Sequence, residues 1–122
     1  MEIPTMIVDD QEDIRFLLRV LIERANEGLM VVSEAASGHE AIAQVAAADP
    51  LVIVMDQMMP EMNGVETAMR VRELRPTQVV ILCTAYLDEE VIAKARSAGV
   101  THCVAKHAVH RLPDIIRQAV GA

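Results

Sequence analysis

Five short apolar runs without polar alternation constrain this chain most: Met6–Val8, Met30–Val32, Leu51–Met55, Val79–Cys83 and Cys103–Ala105. Leu51-Val52-Ile53-Val54-Met55 and Val79-Val80-Ile81-Leu82-Cys83 contain no polar residue. A strand of that kind must be covered on both faces, as in a parallel sheet flanked by helices. Segments of helical character separate the runs. Ile14, Leu17, Leu18, Leu21 and Ile22 form one stripe, which Asp9 or Asp10 can cap. Gly38 to Ala48 is rich in helix formers and stops at Asp49-Pro50. Val65 to Arg75 follows the Asn63-Gly64 turn, Asp88 to Ala98 closes at Gly99, and Pro113 opens a last helix reaching Val120. Strand–helix repeated five times predicts a doubly wound α/β fold, in which all five runs form one parallel sheet. A hairpin at Asn63-Gly64 is the alternative there, but no alternating strands flank it. Thr101 and His102 dilute the fifth strand.

The chain has 122 residues, enough for one domain spanning 1–122 with its own core. Phe16 and Tyr86 are the only aromatics, so aliphatic side chains build that core, and no ring-stacking surface for nucleotides is expected. The formal net charge of -7 argues against direct binding of nucleic acid or an anionic membrane. No apolar run approaches the roughly 20 residues that span a bilayer, and the N-terminus lacks signal-peptide character. Cys83 and Cys103 sit inside apolar runs without metal-like spacing, which fits buried thiols in a reducing compartment. The expected location is cytoplasmic.

Open α/β sheets bind ligands at the carboxyl ends of their strands, near the point where strand order reverses. Run 1 ends in Asp9-Asp10, run 3 in Asp56, run 4 in Thr84 and run 5 in Lys106. If the second strand lies at the sheet edge, these converge on one pocket. Each has an ordinary alternative. Asp9 with Glu12 resembles a capping box, Asp56 could open a loop, Thr84 could be a strand-end hydroxyl and Lys106 a surface lysine. It is the combination at four separate strand ends that points to chemistry. Two carboxylates about 4 Å apart repel by ~4 kcal/mol at an effective dielectric of 20. Three acids therefore call for a cation, and oxygen ligands in a partly hydrated site suit Mg²⁺. Together with Lys106 and a hydroxyl, such a site can stabilise a phosphoryl group passing to a carboxylate, giving an acyl phosphate. Ala85 leaves room for the phosphoryl oxygens. Met58 and Tyr86 flank the site and are expected to hinder attacking water. His102, His107 and His110 cluster near the fifth strand, where a solvated loop is favoured over a metal site or pH sensor.

The motifs IVDD, VIVMDQMMPEMNG, ILCTA and VAK, in this order and spacing, resemble the receiver domains of two-component response regulators. The resemblance covers the whole chain and implies strand order 2-1-3-4-5. It implies Asp56 as phosphoacceptor, with Thr84 and Lys106 holding phosphoryl oxygens. Asp10, Asp56 and the backbone carbonyl of Met58 would be the Mg²⁺ ligands, with Asp9 assisting through water. A sensor histidine kinase or histidine phosphotransfer protein would donate the phosphoryl group. An output domain or protein would read the face made by the fourth helix, fifth strand and fifth helix, through which a homodimer could also form. The segments GLMVVSEAASGHEAI and RVRELRP look closest to receivers joined to a helix-turn-helix DNA-binding domain, which these 122 residues do not include.

Two positions depart from the family pattern. Cys103 stands where many members carry the Tyr or Phe that swings with the switch. His107 stands where Pro usually follows the lysine, often after a cis bond; a cis bond before a non-proline residue costs ~2.5–4 kcal/mol, so a trans bond is expected. Chemistry at Asp56 tolerates both changes better than signal transmission does. The competing reading is a pseudo-receiver that binds partners without phosphorylation. An aspartyl-phosphate hydrolase would need a second carboxylate where Met58 stands, and a flavin carrier would need stacking aromatics. The chain is thus expected to promote only its own phosphoryl transfer and dephosphorylation.

Overall fold

The computed structural model describes residues 1–25 and 27–121. In chain order the elements are β1 (Ile3–Val8), α1 (Glu12–Arg24), β2 (Leu29–Ala35), α2 (Gly38–Ala48), β3 (Val52–Met55), α3 (Gly64–Leu74), β4 (Val79–Thr84), α4 (Glu89–Ser97), β5 (His102–Ala105), a 3₁₀ segment (Lys106–Arg111) and α5 (Leu112–Ala119). All strand pairs are parallel, in the order β2-β1-β3-β4-β5. This is the five-stranded, flavodoxin-like arrangement expected, with β2 and β5 at the edges.

The unbroken apolar strands divide their residues between two cores. Met6, Val8, Ile53, Met55, Val80 and Leu82 pack with Ala41, Val45, Ala68, Val71 and Ala95 from α2, α3 and α4. Ile3, Ile7, Val52, Val54, Ile81 and Cys83 point the other way, onto Leu18 and Ile22 of α1 and Leu112 and Ile116 of α5. Both sides of the sheet are dry, which is why neither side needed polar residues. Cys83 and Cys103 are both free thiols and belong to opposite faces.

Several local expectations are refined. The Asn63-Gly64 pair forms no hairpin. Asn63 caps α3, its Oδ1 accepting the Glu66 N–H at 2.9 Å while Glu66 Oε1 accepts the Asn63 N–H at 3.1 Å. Asp88 likewise caps α4 by accepting from Val91 N. Neither Asp9 nor Asp10 caps α1, and the Asp9–Glu12 box is not made. The N-cap is Gln11, without a side-chain bond, and Asp9 Oδ1 accepts the Gln11 N–H at 2.9 Å just ahead of the helix. β2 is longer than its apolar run, because an edge strand half-exposed to water tolerates Ser33 and Glu34. Its register shifts opposite Thr5/Met6, leaving Val32 as an extra residue. Gly99 adopts φ +87°, the left-handed conformation that ends α4 and admits the chain to β5. No cis peptide bond occurs among the described residues, so Lys106–His107 is trans. Among the described residues no helix is long and apolar enough to cross a membrane.

Candidate functional site

β1, β3, β4 and β5 all end at one rim of the sheet, and the four strand-end residue types meet there. Asp56 follows β3 directly, its N–H bonded to the Val8 carbonyl at 3.0 Å. That bond ties the acidic loop after β1 to the one after β3. Asp9 is 1% exposed and Asp56 5%, whereas Asp10 faces solvent. Asp9, Asp10 and Asp56 each offer a carboxylate oxygen within 4.8 Å of the others. Among the described residues this is the only such convergent group, so the three histidines near β5 do not form one. His102 Nδ1 instead meets Thr101 Oγ1 at 2.9 Å.

Lys106 opens the 3₁₀ segment after β5 and reaches inward over the rim. Its Nζ lies 3.2 Å from Asp9 Oδ2 and 3.3 Å from Asp56 Oδ2. The contact to Asp9 Oδ2 is an ion pair not aligned as a hydrogen bond, so that buried oxygen retains an unused acceptor site. Burial alone would depress the ammonium's pKa, but the Asp56 and Asp9 charges outweigh it and raise it. For Asp9 burial dominates in the other direction: its carboxyl is raised despite the Gln11 N–H and Lys106, with the Asp56 charge adding to the rise. Lys106 is thus raised by the two acids that share it, and Asp9 chiefly by its own burial. A carboxylate that burial strains in this way gains from a further cation.

Thr84 is fully buried at the end of β4, and its Oγ1 has no hydrogen-bond partner. A buried hydroxyl left unpaired is costly in a native fold and marks a donor without its acceptor. Above it a shallow pocket is walled by Asp10, Asp56, Met58, Ala85, Tyr86 and Lys106. Met58 donates its N–H to Asp56 Oδ1 at 3.3 Å, and its side chain and that of Tyr86 are exposed. The donor set suits a hard divalent ion: three convergent carboxylates and, among the described residues, no cysteine or histidine in the group.

Some residues that shape the site carry no sequence signal of it. Gln57 is buried beside Asp56; its Oε1 accepts the Val65 N–H at 2.9 Å and its carbonyl accepts the Gly64 N–H at 3.0 Å. These bonds clamp the Met58–Asn63 loop to the start of α3. Gly64 must lack a side chain, since a Cβ there would stand 2.4 Å from the Asp56 carbonyl oxygen. Arg15 donates to the Asp9 carbonyl at 2.7 Å.

The profile described as the response regulator receiver domain matches residues 5–117. The chain is 32% identical over 101 residues to the chemotaxis protein CheY of Thermotoga maritima, covering 83% of this chain and 82% of that one. It is 43% identical over 81 residues to a protein-glutamate methylesterase/protein-glutamine glutaminase of Hahella chejuensis, covering 66% of this chain but only 23% of that protein. Among solved structures it superimposes on a LuxR-family two-component response regulator from Aurantimonas sp. with a TM-score of 0.94 and 29% identity, over 99% of this chain and 86% of that one.

Proposed function

The chain belongs to the response regulator receiver domain family of two-component systems, and from that premise we propose that Asp56 is its phosphoryl acceptor. The observation that carries this reading is the ammonium of Lys106, 3.2 and 3.3 Å from two buried carboxylates, beside a buried Thr84 hydroxyl without a partner. An Asp56 oxygen attacks the phosphorus of a phosphohistidine. The new P–O bond makes an acyl phosphate, the P–N bond breaks, and the imidazole leaves with its electron pair and takes up a proton. Lys106 neutralises one phosphoryl oxygen and Thr84 donates to another. Asp10, Asp56 and the Met58 carbonyl would hold Mg²⁺, with Asp9 assisting through water; when bound, the ion neutralises charge on the transferring group.

In this reading residues 1–122 are one cytoplasmic receiver unit that promotes only its own phosphorylation and dephosphorylation. Its donor is a histidine kinase or a histidine phosphotransfer protein. The α4–β5–α5 face passes the signal to an output domain or partner, or to a second copy. Cys103 packs at the edge of one core beneath that face, so the outward signal runs without a swinging aromatic ring.

Intact mass spectrometry after incubation with a small acyl phosphate tests the proposal. The parent protein is expected to gain one phosphoryl group only with Mg²⁺, and Asp56→Asn to gain none. No Mg²⁺-dependent gain on the parent would replace this reading with the phosphorylation-independent pseudo-receiver.

A further inference from the structure

One chain of charged groups reaches the site from the far edge of the sheet, and the acceptor chemistry leaves it unused. Arg15, in the first turn of α1, donates from Nη1 to the carbonyl oxygen of Asp9 at 2.7 Å. Its Nε lies 3.7 Å from Glu34 Oε1 near the end of β2, and the other Glu34 oxygen accepts from Arg19. The Arg15 and Glu34 side chains are 18% and 22% exposed, so the pair is shielded in a way that ordinary surface ion pairs are not.

The Asp9 carbonyl belongs to the Asp9–Asp10 peptide. Whatever fixes that peptide sets the direction in which both side chains leave the backbone. Here the fixing matters, because three carboxylates whose oxygens converge within 4.8 Å repel one another. Asp10 is exposed, so burial does not fix its side chain. The segment also lies between the last ladder residue of β1 and a helix whose N-cap makes no side-chain bond. A charged donor at 2.7 Å is a strong restraint on such a junction. Glu34 on β2 lies within ion-pair distance of the guanidinium and favours its placement electrostatically.

We infer that Arg15, steadied by Glu34, is a positioning residue that keeps Asp9 and Asp10 convergent on the cation; the inference rests on the acceptor reading above. Groups that orient metal ligands from behind typically change metal affinity by about tenfold or more when removed. Arg15→Met keeps the aliphatic stem and removes every donor. Arg15→Lys keeps one donor but loses the planar fork that bridges to Glu34.

Two readouts on the full chain test this: Mg²⁺ affinity by calorimetry, and amide hydrogen exchange of Gln11, whose N–H rests on Asp9 Oδ1. Arg15→Met is expected to weaken Mg²⁺ binding about tenfold. It should also speed Gln11 exchange while β3 and β4 amides keep the parent's protection. Arg15→Lys should fall between the two, and Glu34→Gln should move both readouts in the same direction by less. Parental exchange at Gln11 in Arg15→Met would overturn the inference, as would a rise there that merely tracks global opening at β3. Should Arg15→Met not fold, Glu34→Gln is judged by the same criteria. A parent protein that binds no Mg²⁺ would defeat the acceptor reading, while Gln11 exchange would still decide the role of Arg15.

Discussion

Gln78 stands just before β4 and Thr84 at its end, both buried, and their polar groups meet opposite fates. Gln78 is satisfied throughout. Its Oε1 accepts from Arg75 Nε at 2.7 Å, and its Nε2 serves the carbonyls of Pro50, Leu51 and Val79 at 3.1, 3.1 and 3.2 Å. Arg72 takes the Gln78 carbonyl, and Arg75 also reaches Asp49 and the Pro50 carbonyl. At the other end Thr84 Oγ1 and Asp9 Oδ2 lack hydrogen-bond partners, and the Lys106 ammonium is shared between two acids. Five residues of one strand separate a closed clasp from an open site. Burial of polar groups is common to both ends, so burial alone does not identify function. Unused hydrogen-bonding capacity together with unbalanced charge does.

The largest expected contrast sets stability at one end against chemistry at the other. Gln78→Leu takes the amide away from three carbonyls, of which Pro50 keeps Arg75 Nη2, and leaves Arg75 Nε without its acceptor; it should cost about 3 kcal/mol, lowering Tm by roughly 10 °C in a domain of this size. Below its Tm this variant should still accept a phosphoryl group as the parent does. Asp56→Asn should show the reverse: no acceptance, with a Tm equal to or above the parent's, because one of two crowded acids loses its charge. Circular dichroism melts beside intact mass spectrometry check both. A Gln78→Leu protein as stable as the parent would break the comparison at its structural end.

A smaller effect, confined to alkaline pH, sits on the same strand next to Thr84. Burial pushes the Cys83 thiol up to about 11; Lys106 opposes the rise, and Asp56 and Asp9 add to it. The folded state therefore holds the proton longer than the unfolded chain does. The resulting stability is fully present below pH 9 and is lost as pH climbs through 9 to 11, amounting to about 2–3 kcal/mol. Urea denaturation across that range should show the loss, and Cys83→Val should remove it while leaving stability at pH 7 nearly unchanged. Lys106 is also raised, from 10.5, so its share is likewise lost on the alkaline side. A residual fall above pH 10.5 in Cys83→Val traces that ammonium. A flat parental curve from pH 9 to 11 would contradict the burial assigned to the thiol.

The open end was far more legible in the sequence than the closed one. Continuous apolar runs fixed β1, β3 and β4, and the residues that end them named Asp9, Asp10, Asp56 and Thr84, because strand ends are local features. Lys106 could be named for the same reason, although the 3₁₀ segment it opens carried no pattern. The clasp was invisible: Asp49, Pro50, Arg75 and Gln78 look like ordinary loop residues until two connections are folded against each other. Arg15 and Glu34 are 19 positions apart on different elements, so nothing local pairs them. The expected cap at Asp9 or Asp10 failed because Asp9 is turned toward Gln11 and Lys106 rather than into the helix. Satisfied polar networks are long-range objects, and a single sequence shows only their members.

The smallest expected effect concerns how long a phosphoryl group would last at the open end. Met58 and Tyr86 stand on either side of the pocket wall that includes Asp56 and Lys106, and they are 64% and 78% exposed. Hydrolysis of an acyl phosphate on Asp56 requires water to approach the phosphorus from the side opposite the carboxylate oxygen. Two bulky side chains at the rim obstruct that path without touching the bonds that break. Because both are largely exposed, the obstruction is partial. Replacing both with serine should accelerate dephosphorylation about fivefold, equivalent to ~1 kcal/mol in the barrier. Phosphorylation by a small acyl phosphate should change less, since that donor brings its own leaving group into the pocket and needs no ordered water. Loss of the phosphoryl mass with time in the double variant measures the effect directly. An unchanged rate would mean that water reaches the phosphorus by a route these side chains do not guard. Gln78→Leu supplies the control from the closed end: its phosphoryl group should decay at the parent's rate, since nothing in the clasp lies on the water's path.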